Sequence, residues 1–553
     1  MEASPSNERT ELLAFPIDVD CVLQHLQQDM RDDWFEDALQ HQDLFAGKAD
    51  LREVILSVLT EGNGRYLAAR RNVCDVPKKG LGIRYSLETD FYDRFIYQAI
   101  CSYLIPFFDP LLSHRVLGHR YDKRPRREKY LFKGRIELWQ TFEGVTRTAI
   151  MNNEALFATD LINYFENITT EVIRSSFESL LPKVQASGTD KLLIRNAIST
   201  LCELLVSWGY SDRHGLPQNR DASSFIANVV LNAVDQEMVI LGYDYYRYVD
   251  DIRIICKNHR EARRVAAVLI GKLRTVGMNI NSAKTKILTS DSSAAELSEF
   301  FPGSDDRTIA IDNMWRSRSR RIVIRSIKYI HQLLSECIKE KQTQSRQFRF
   351  SVNRLLRLID AELFASRNPI AGELKALLID SLEDHAASTD QYCRLLSALD
   401  LTATENQKIA NFLCDAERSI HSWQNYHLWM LLARQKYRSE NLIKLALHTT
   451  ERDINLAEVP AIFIYLRCVG EAYSLTSLIT KFSAEWPYYH KRNFLLATSE
   501  LDREALRPLV QHLDPKIRGT VQRARSYYVN GLPLAARART TIPQLYDNLD
   551  PYE

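Results

Sequence analysis

The chain has 553 residues, 45% hydrophobic and 26% charged, which exceeds one ordinary core, calls for two or three domains, and excludes disorder as the default. Its 72 basic and 70 acidic residues leave a formal charge of +2, so a global basic field is excluded and any nucleic-acid surface must be local. The nine cysteines (Cys21, Cys74, Cys101, Cys202, Cys256, Cys337, Cys393, Cys414, Cys468) form no C-x-x-C pair, the start MEASPSNERTE has no apolar signal region, and no long apolar run follows; a reducing cytoplasmic setting without membrane contact is expected.

From about Val22 to Ser57, CVLQHLQQDM and DLREVILSVL repeat apolar residues at helical spacing, predicting a helical N-terminal extension over 1–70. Between Cys74 and Arg135 a Lys/Gly-rich stretch, VPKKGLGIRY, precedes the helix-like DFYDRFIYQAICSYLIPFF and the basic run HRYDKRPRREKYLFKGR, which together read as loops and a cationic surface. From Ala155 to Ile287, strand candidates (EALFATDLINY, YYRYVDDIRIIC, KTKIL) alternate with helical ones (LLIRNAISTLCELLVSW, FIANVVLNAVDQEMVI), predicting an α+β core within 71–300. A loop at PGSDD and the basic segment WRSRSRRIVIRSIKYIHQLL then lead into helical periodicity to about Tyr528, so an all-α domain is expected over 301–553. Within it YHLWMLLARQKY, PAIFIYLRCVGEAY and HKRNFLLATSELD recur at the spacing of helical hairpins, in the loose range of HEAT-like repeats.

Two β-rich runs flank the acid pair of YYRYVDDIRIIC, and a tight hairpin would present Asp250 and Asp251 at its turn. Adjacent carboxylates repel, a cost that a hard divalent cation such as Mg²⁺ removes while leaving room for substrate phosphates. EALFATDLINYFENI offers a second strand ending in an acid, Asp160, before a helix-compatible stretch. Folding that brings Asp160 beside Asp250 would provide carboxylates for two metal ions. Taken singly, each piece has a plainer reading: a surface turn with solvated aspartates, and a helix N-cap at Asp160.

In chain order the blocks resemble a reverse-transcriptase fingers and palm over about residues 75–290. DLINYFENI (Asp160 to Ile168) resembles the first catalytic block, which implies metal ligation by Asp160 and the Leu161 carbonyl, with Phe165 as a steric gate under the sugar. GLPQ (Gly215 to Gln218) resembles the loop that supports incoming nucleotide and template. The next helix carries the expected Ser224, Asn228, Leu231 and Asp235. YVDD (Tyr248 to Asp251) is similar to the signature block. GMNINSAKT resembles the block whose lysine, Lys284, lies near the leaving phosphates. The fingers blocks resemble GIRYSLETDFYDRFIYQAI and LLSHRVLGHRYDK, implying Arg84, Arg94 and Arg120 as phosphate contacts, against the plainer reading of structural ion pairs. Asn219 departs from G-x-P-Q-G and puts template positioning in question, because glycine there admits close approach to the backbone.

No ribonuclease H region, zinc finger or His/Cys cluster follows, and the helical C-terminus together with the W-x-x-F at Trp139 to Phe142 resembles the bacterial abortive-infection and unknown-group antiphage reverse transcriptases. That resemblance implies two Mg²⁺ ions (or Mn²⁺), dNTPs as substrate, and template-independent synthesis of single-stranded DNA primed by a protein tyrosine, in a homo-oligomer. With 25 tyrosines, the priming residue is not identified. The cluster Arg518, Arg523, Arg525, Tyr527 and Tyr528 suggests a strand-binding channel, or a solvated helix face. The rival readings are a conventional RNA-templated DNA polymerase of retron or mobile-element type, and a binding scaffold with a relic palm.

Overall fold

The computed structural model describes residues 15–30, 33–45, 48–61, 66–69, 71–124, 131–211, 214–301, 306–483, 485–510 and 545. The chain divides into two compact units, Met1–Asp33 with Lys48–Val73 and Ser86–Phe301, and Trp34–Gly47 with Cys74–Tyr85 and Pro302–Glu553. In chain order come α1 (Val19–Asp29), α2 (Gln42–Phe45), α3 (Lys48–Glu61), β1 (Asn72–Pro77), β2 (Ile83–Glu88), α4 (Phe91–Phe108), α5 (Arg135–Met151), β3 (Ala155–Thr159), α6 (Thr170–Leu180), α7 (Gly188–Trp208) and α8 (Asp221–Ile240). β4 (Asp244–Tyr248), β5 (Asp251–Cys256), α9 (His259–Arg274), β6 (Lys286–Leu288) and α10 (Ala294–Phe300) come next, and the first unit ends at Phe301. Helices follow: α11 (Asp306–Arg316), α12 (Arg320–Lys339), α13 (Arg346–Asp360), α14 (Pro369–Asp380), α15 (Thr389–Ser397), α16 (Ala403–Cys414), α17 (Ser422–Arg434), α18 (Glu440–Arg452), α19 (Val459–Cys468), α20 (Thr476–Ile479), α21 (Tyr488–Thr498) and α22 (Arg503–Val510). None of the described helices is long and apolar enough to cross a membrane.

In the first unit a four-stranded antiparallel sheet has the order β4-β5-β3-β6. β3, ALFAT, is buried at every position, as an inner strand covered on both faces requires. Against β3 and β5 packs α9, whose Ala262, Val265, Leu269 and Leu273 form one apolar face. Its N-cap Asn258 accepts from the Glu261 amide, and Lys272 and Arg274 complement the helix dipole in the last turn. Ile150, Leu156, Leu288 and Phe301 close a core cluster behind the sheet.

VPKKGLGIRY, expected as loop, lies half in the two-stranded sheet of β1 and β2, with Lys78 to Gly82 as the connecting turn. Its glycines disguise the strands: Gly80, at φ +81°, lies in the turn between two short strands.

In the second unit the helices pack against their next but one neighbours in two rows. One row runs α12, α14, α16, α18, and the other α13, α15, α17, α19, α21. The expected N-terminal extension over 1–70 is divided, because Trp34–Gly47 belongs here. Arg492 of α21 pairs with Asp37 at 2.6 Å and Asp43 at 2.7 Å, all buried. The Trp423 indole donates to the Trp34 carbonyl at 2.8 Å, and Tyr426 to the Glu36 carbonyl at 2.6 Å. Such pairings, hundreds of residues apart in sequence, leave no trace in local periodicity.

Burial pushes His490 down to about 4 while its Nε2 faces the Leu456 carbonyl at 3.0 Å, and burial also lowers His427 and His385. A histidine held neutral stabilises the fold above its unfolded value near 6.5, and that stability is lost as pH falls toward the folded value. Thermal unfolding at pH 5 should therefore show a loss on the order of 2 kcal/mol from His490 alone relative to pH 7. A His490→Gln variant should show a shallower pH slope; an unchanged slope contradicts the assignment.

Candidate active site

The site begins where β3 ends. Thr159 pairs with Ile252 of β5, so continuing that antiparallel register by one residue sets Asp160 opposite Asp251. The last β4–β5 pair, Tyr248 with Asp251, leaves Val249 and Asp250 as the turn. Asp160, Asp250 and Asp251 thus come together at one end of the sheet. Burial, then the charges of Asp251 and Asp160, pushes Asp250 well above the ordinary carboxylate range. Burial, assisted by Asp160 and opposed by Arg253, pushes Asp251 up to about 6.

Lys284 faces this cluster with its Nζ 2.5 Å from Asp160 Oδ2. Partial burial would lower its pKa, but the hydrogen bond and charge of Asp160 raise it. Asp160 Oδ1 is buried without a hydrogen-bond partner. Among the described residues no group of three or more His, Cys, Asp or Glu side chains is arranged so that it could hold a metal ion as it stands. The chemistry of the donor set nevertheless fits a hard divalent cation, with an unpartnered buried oxygen on Asp160 and three carboxylates faced by only Lys284 and Arg253 among the cations that act on Asp251.

The hairpin tip is strained. Val249 has φ +55°, a region that a β-branched residue rarely enters. Two contacts hold it there, with Asn228 linking them. Its carbonyl accepts from Arg247 Nη1 at 2.8 Å, and that nitrogen also donates to Asn228 Oδ1 at 2.9 Å. Asn228 in turn donates to the Gly118 carbonyl at 2.9 Å. A Cβ on Gly118 would stand 2.9 Å from both Val249 Cγ2 and Val249 N, so only glycine admits this approach. Arg247 is fixed by a bidentate pair with Asp235, at 2.9 and 2.7 Å, both side chains wholly buried, and Tyr245 donates to the same carboxylate. Sequence reasoning named Asn228 and Asp235 but missed Arg247. The available signal was strand alternation, which places Arg247 on the inward face with Tyr245. Trp139 and Phe142 pack their rings on Tyr248 at 5.0 and 5.9 Å, so the W-x-x-F pair buttresses the turn from α5.

LINYFENI is a run of turns rather than the expected helix, with Asn163 at φ +47°. α6 starts later, capped by Thr169, which removes the N-cap reading of Asp160. Instead Asn281 N donates to the Asp160 carbonyl at 2.7 Å and Ile162 N to Asn279 O at 3.1 Å, tying the block to the segment that carries Lys284, with Leu161 bridged to Ile280. Phe165 is half-buried, its ring 4.7 Å from Tyr164.

The GLPQ loop is tied to the same turns: Gly215 N donates to Ile168 O and Leu216 N to Phe165 O, each at 2.8 Å. Gln218 donates to Glu166 Oε1 at 3.1 Å. Asn219 adopts φ +55°, so it keeps a backbone shape that glycine would take easily. Gly215 sits at φ +91°, where a Cβ would lie 2.4 Å from Tyr210 Cβ and 2.9 Å from Tyr210 N. Gly215→Ala should therefore cost about 1–3 kcal/mol in denaturant unfolding and displace Gln218. A variant as stable as the parent would show that the loop yields freely.

Two expected phosphate contacts are corrected. Arg120 spends its donors on the preceding segment, on Asp109 Oδ1 at 2.9 Å, Asp109 O at 3.1 Å, Ser113 O at 2.8 Å and Val116 O at 2.7 Å. Arg94 is buried between Asp29 and Asp33 at 2.8 and 2.6 Å. Both are structural ion pairs, with no face left for triphosphate. Arg84 lies over the Trp34 ring at 5.2 Å. Arg518, Arg523, Arg525, Tyr527 and Tyr528 lie outside the described residues.

Residues 149–350 match the family model described as reverse transcriptase (RNA-dependent DNA polymerase). No curated protein matches the chain. Similar solved structures include telomerase from Candida albicans in complex with a fragment of telomeric RNA, at 10% identity and TM-score 0.28 over 68% of this chain and 65% of that one. Apo telomerase from Candida tropicalis matches at 11% identity and TM-score 0.29, over 79% of this chain and 72% of that one. The RNA-dependent RNA polymerase of a human picobirnavirus matches at 10% and 0.30, over 59% and 63%. The chain spans about two thirds of the length of these polymerases: 65%, 72% and 63%.

Proposed function

We propose, for a chain that carries a reverse-transcriptase domain and is a nucleotidyltransferase of the polymerase type, that DNA is built from dNTPs at Asp160, Asp250 and Asp251. One observation carries this reading: β3 and the β4–β5 turn bring three carboxylates together, with a buried Asp160 oxygen left unpartnered. Asp160, Asp250, Asp251 and the Leu161 carbonyl would hold two Mg²⁺ ions, with Mn²⁺ as a substitute. When bound, these supply activation of the attacking hydroxyl and charge neutralisation of the departing pyrophosphate. The hydroxyl oxygen forms a bond to the α-phosphorus as the bond to pyrophosphate breaks. Lys284, with its side chain 64% exposed, is free to turn from Asp160 toward the leaving phosphates. Phe165 would sit under the sugar, and Gln218 would support the nucleotide.

The finer reading rests on the resemblance to abortive-infection and unknown-group enzymes: antiphage defence, template-independent synthesis primed by a tyrosine, a single-stranded DNA product, and a homo-oligomer. The two rows of next-but-one helices in the second unit support its HEAT-like character. A conventional RNA-templated reaction is the second reading. It is favoured by the left-handed backbone of Asn219, which answers the missing glycine of the template loop.

Purified chain incubated with Mg²⁺ and dNTPs, with and without template and primer, decides between them. DNA made without template, with nucleotide covalently on a tyrosine by mass spectrometry, supports the first reading. Product that requires template supports the second. No product under either condition would leave only a nucleic-acid-binding scaffold.

A further inference from the structure

α12 has one buried and one cationic face. Val323, Ile327, Ile330 and Leu334 are buried. The opposite side presents Arg320, Arg321, Arg325 and Lys328, all exposed, with Ile324 at 40% and Tyr329 at 54% exposure. Among the described residues none of these four cations has an ion pair or side-chain hydrogen bond. No acid lies in the first turn, and Glu336 is already engaged by Arg307 at 2.7 Å and Gln332 at 2.9 Å.

Such an arrangement works against the helix that carries it. Cations at a helix N-terminus oppose the macrodipole, and like charges three or four residues apart, such as Arg321 with Arg325 and Arg325 with Lys328, repel. A helix selected only for its packing would place acids there. Uncompensated local cost is the signature of a surface kept for a partner of opposite charge. Arg321, Arg325 and Lys328 follow each other at about 6.0 and 4.5 Å along the axis, using the ordinary helical rise, so a line of phosphates can run beside them. The exposed ring of Tyr329, within the same row, can stack only on a base that is not already paired and stacked in a duplex.

We propose that the outer face of α12 binds single-stranded nucleic acid, the cations following phosphates and Tyr329 taking a base. The proposal goes beyond the catalytic reading and rests on it only for the presence of such a strand.

Fluorescence anisotropy of the full chain with a labelled oligothymidylate, in EDTA and across a series of KCl concentrations, tests it. Arg321→Ala/Arg325→Ala/Lys328→Ala should weaken binding on the order of tenfold or more and flatten the slope of log affinity against log salt by about 2, given about 0.7 per phosphate contact. Arg321→Lys/Arg325→Lys should keep the slope, and Tyr329→Ala should lose on the order of tenfold with the slope unchanged. A triple variant with parental affinity and slope overturns the proposal, as does a duplex competing as well as the single strand. Binding read in EDTA is independent of catalysis. An inactive catalyst that still binds through α12 sinks only the polymerase reading, and Mg²⁺-dependent incorporation with unaltered binding by the triple variant sinks only this one.

Discussion

Asp250→Asn should lower nucleotide incorporation by about 10³-fold or more while raising the melting temperature of the metal-free chain by about 2 °C or more. The two effects have one origin. Asp250 is held by burial, Asp251 and Asp160 well above the usual carboxylate range. An acid whose folded pKa is raised above its unfolded value costs stability at pH above the unfolded value, and the cost grows until the folded value is passed. Asparagine keeps the shape and removes the charge, so the turn relaxes as the site loses its function. Added Mg²⁺ should raise the melting temperature of the parent, because a ligand of the folded state stabilises by mass action, and should do so less for the variant. Calorimetry with and without Mg²⁺ reads this directly; incorporation by Asp250→Asn at the parental rate would remove the carboxylate from the chemistry.

Asp235→Ala should produce the largest loss of stability, about 3–5 kcal/mol, equivalent to roughly 10 °C in melting temperature. Arg247 and Asp235 are both fully buried and bidentate, so removing the acid strands a guanidinium that water cannot reach. The consequence travels outward. Arg247 holds the Val249 carbonyl and Asn228, Asn228 holds Gly118, and Gly118 is the surface against which the strained tip rests. With Arg247 loosened, Val249 is expected to leave φ +55° and carry Asp250 with it. Asn228→Ala leaves the buried pair intact and separates the effects: it should raise the Mg²⁺ concentration needed for half-maximal incorporation with a smaller change in melting temperature. An Asp235→Ala chain that melts with the parent would mean that the pair contributes nothing.

What the sequence disclosed followed the range of the interactions involved. β3, β4 and β5 were legible from short apolar runs, and the acid pair from its place between two of them. The relation of Asp160 to Asp251 is a matter of register, one step past Thr159 with Ile252, which alternation suggests but pairing must supply. The helical reading of LINYFENI went astray because apolar spacing cannot see the backbone bonds that tie Asp160 and Ile162 to Asn281 and Asn279. Arg120 read as a phosphate ligand because an arginine in a basic stretch looks free, whereas Asp109 and three carbonyls claim it. Trp34–Gly47 was placed with the N-terminus because its partner Arg492 lies far along the chain.

Incorporation of labelled dNTP into acid-insoluble polymer, as Mg²⁺ is titrated in against EDTA, tests most directly whether the convergent aspartates do nucleotidyl transfer. The parent should make product only once Mg²⁺ exceeds the chelator, and the Asp250→Ala/Asp251→Ala chain should make none. Equal product from both chains, or product in EDTA, would contradict the account.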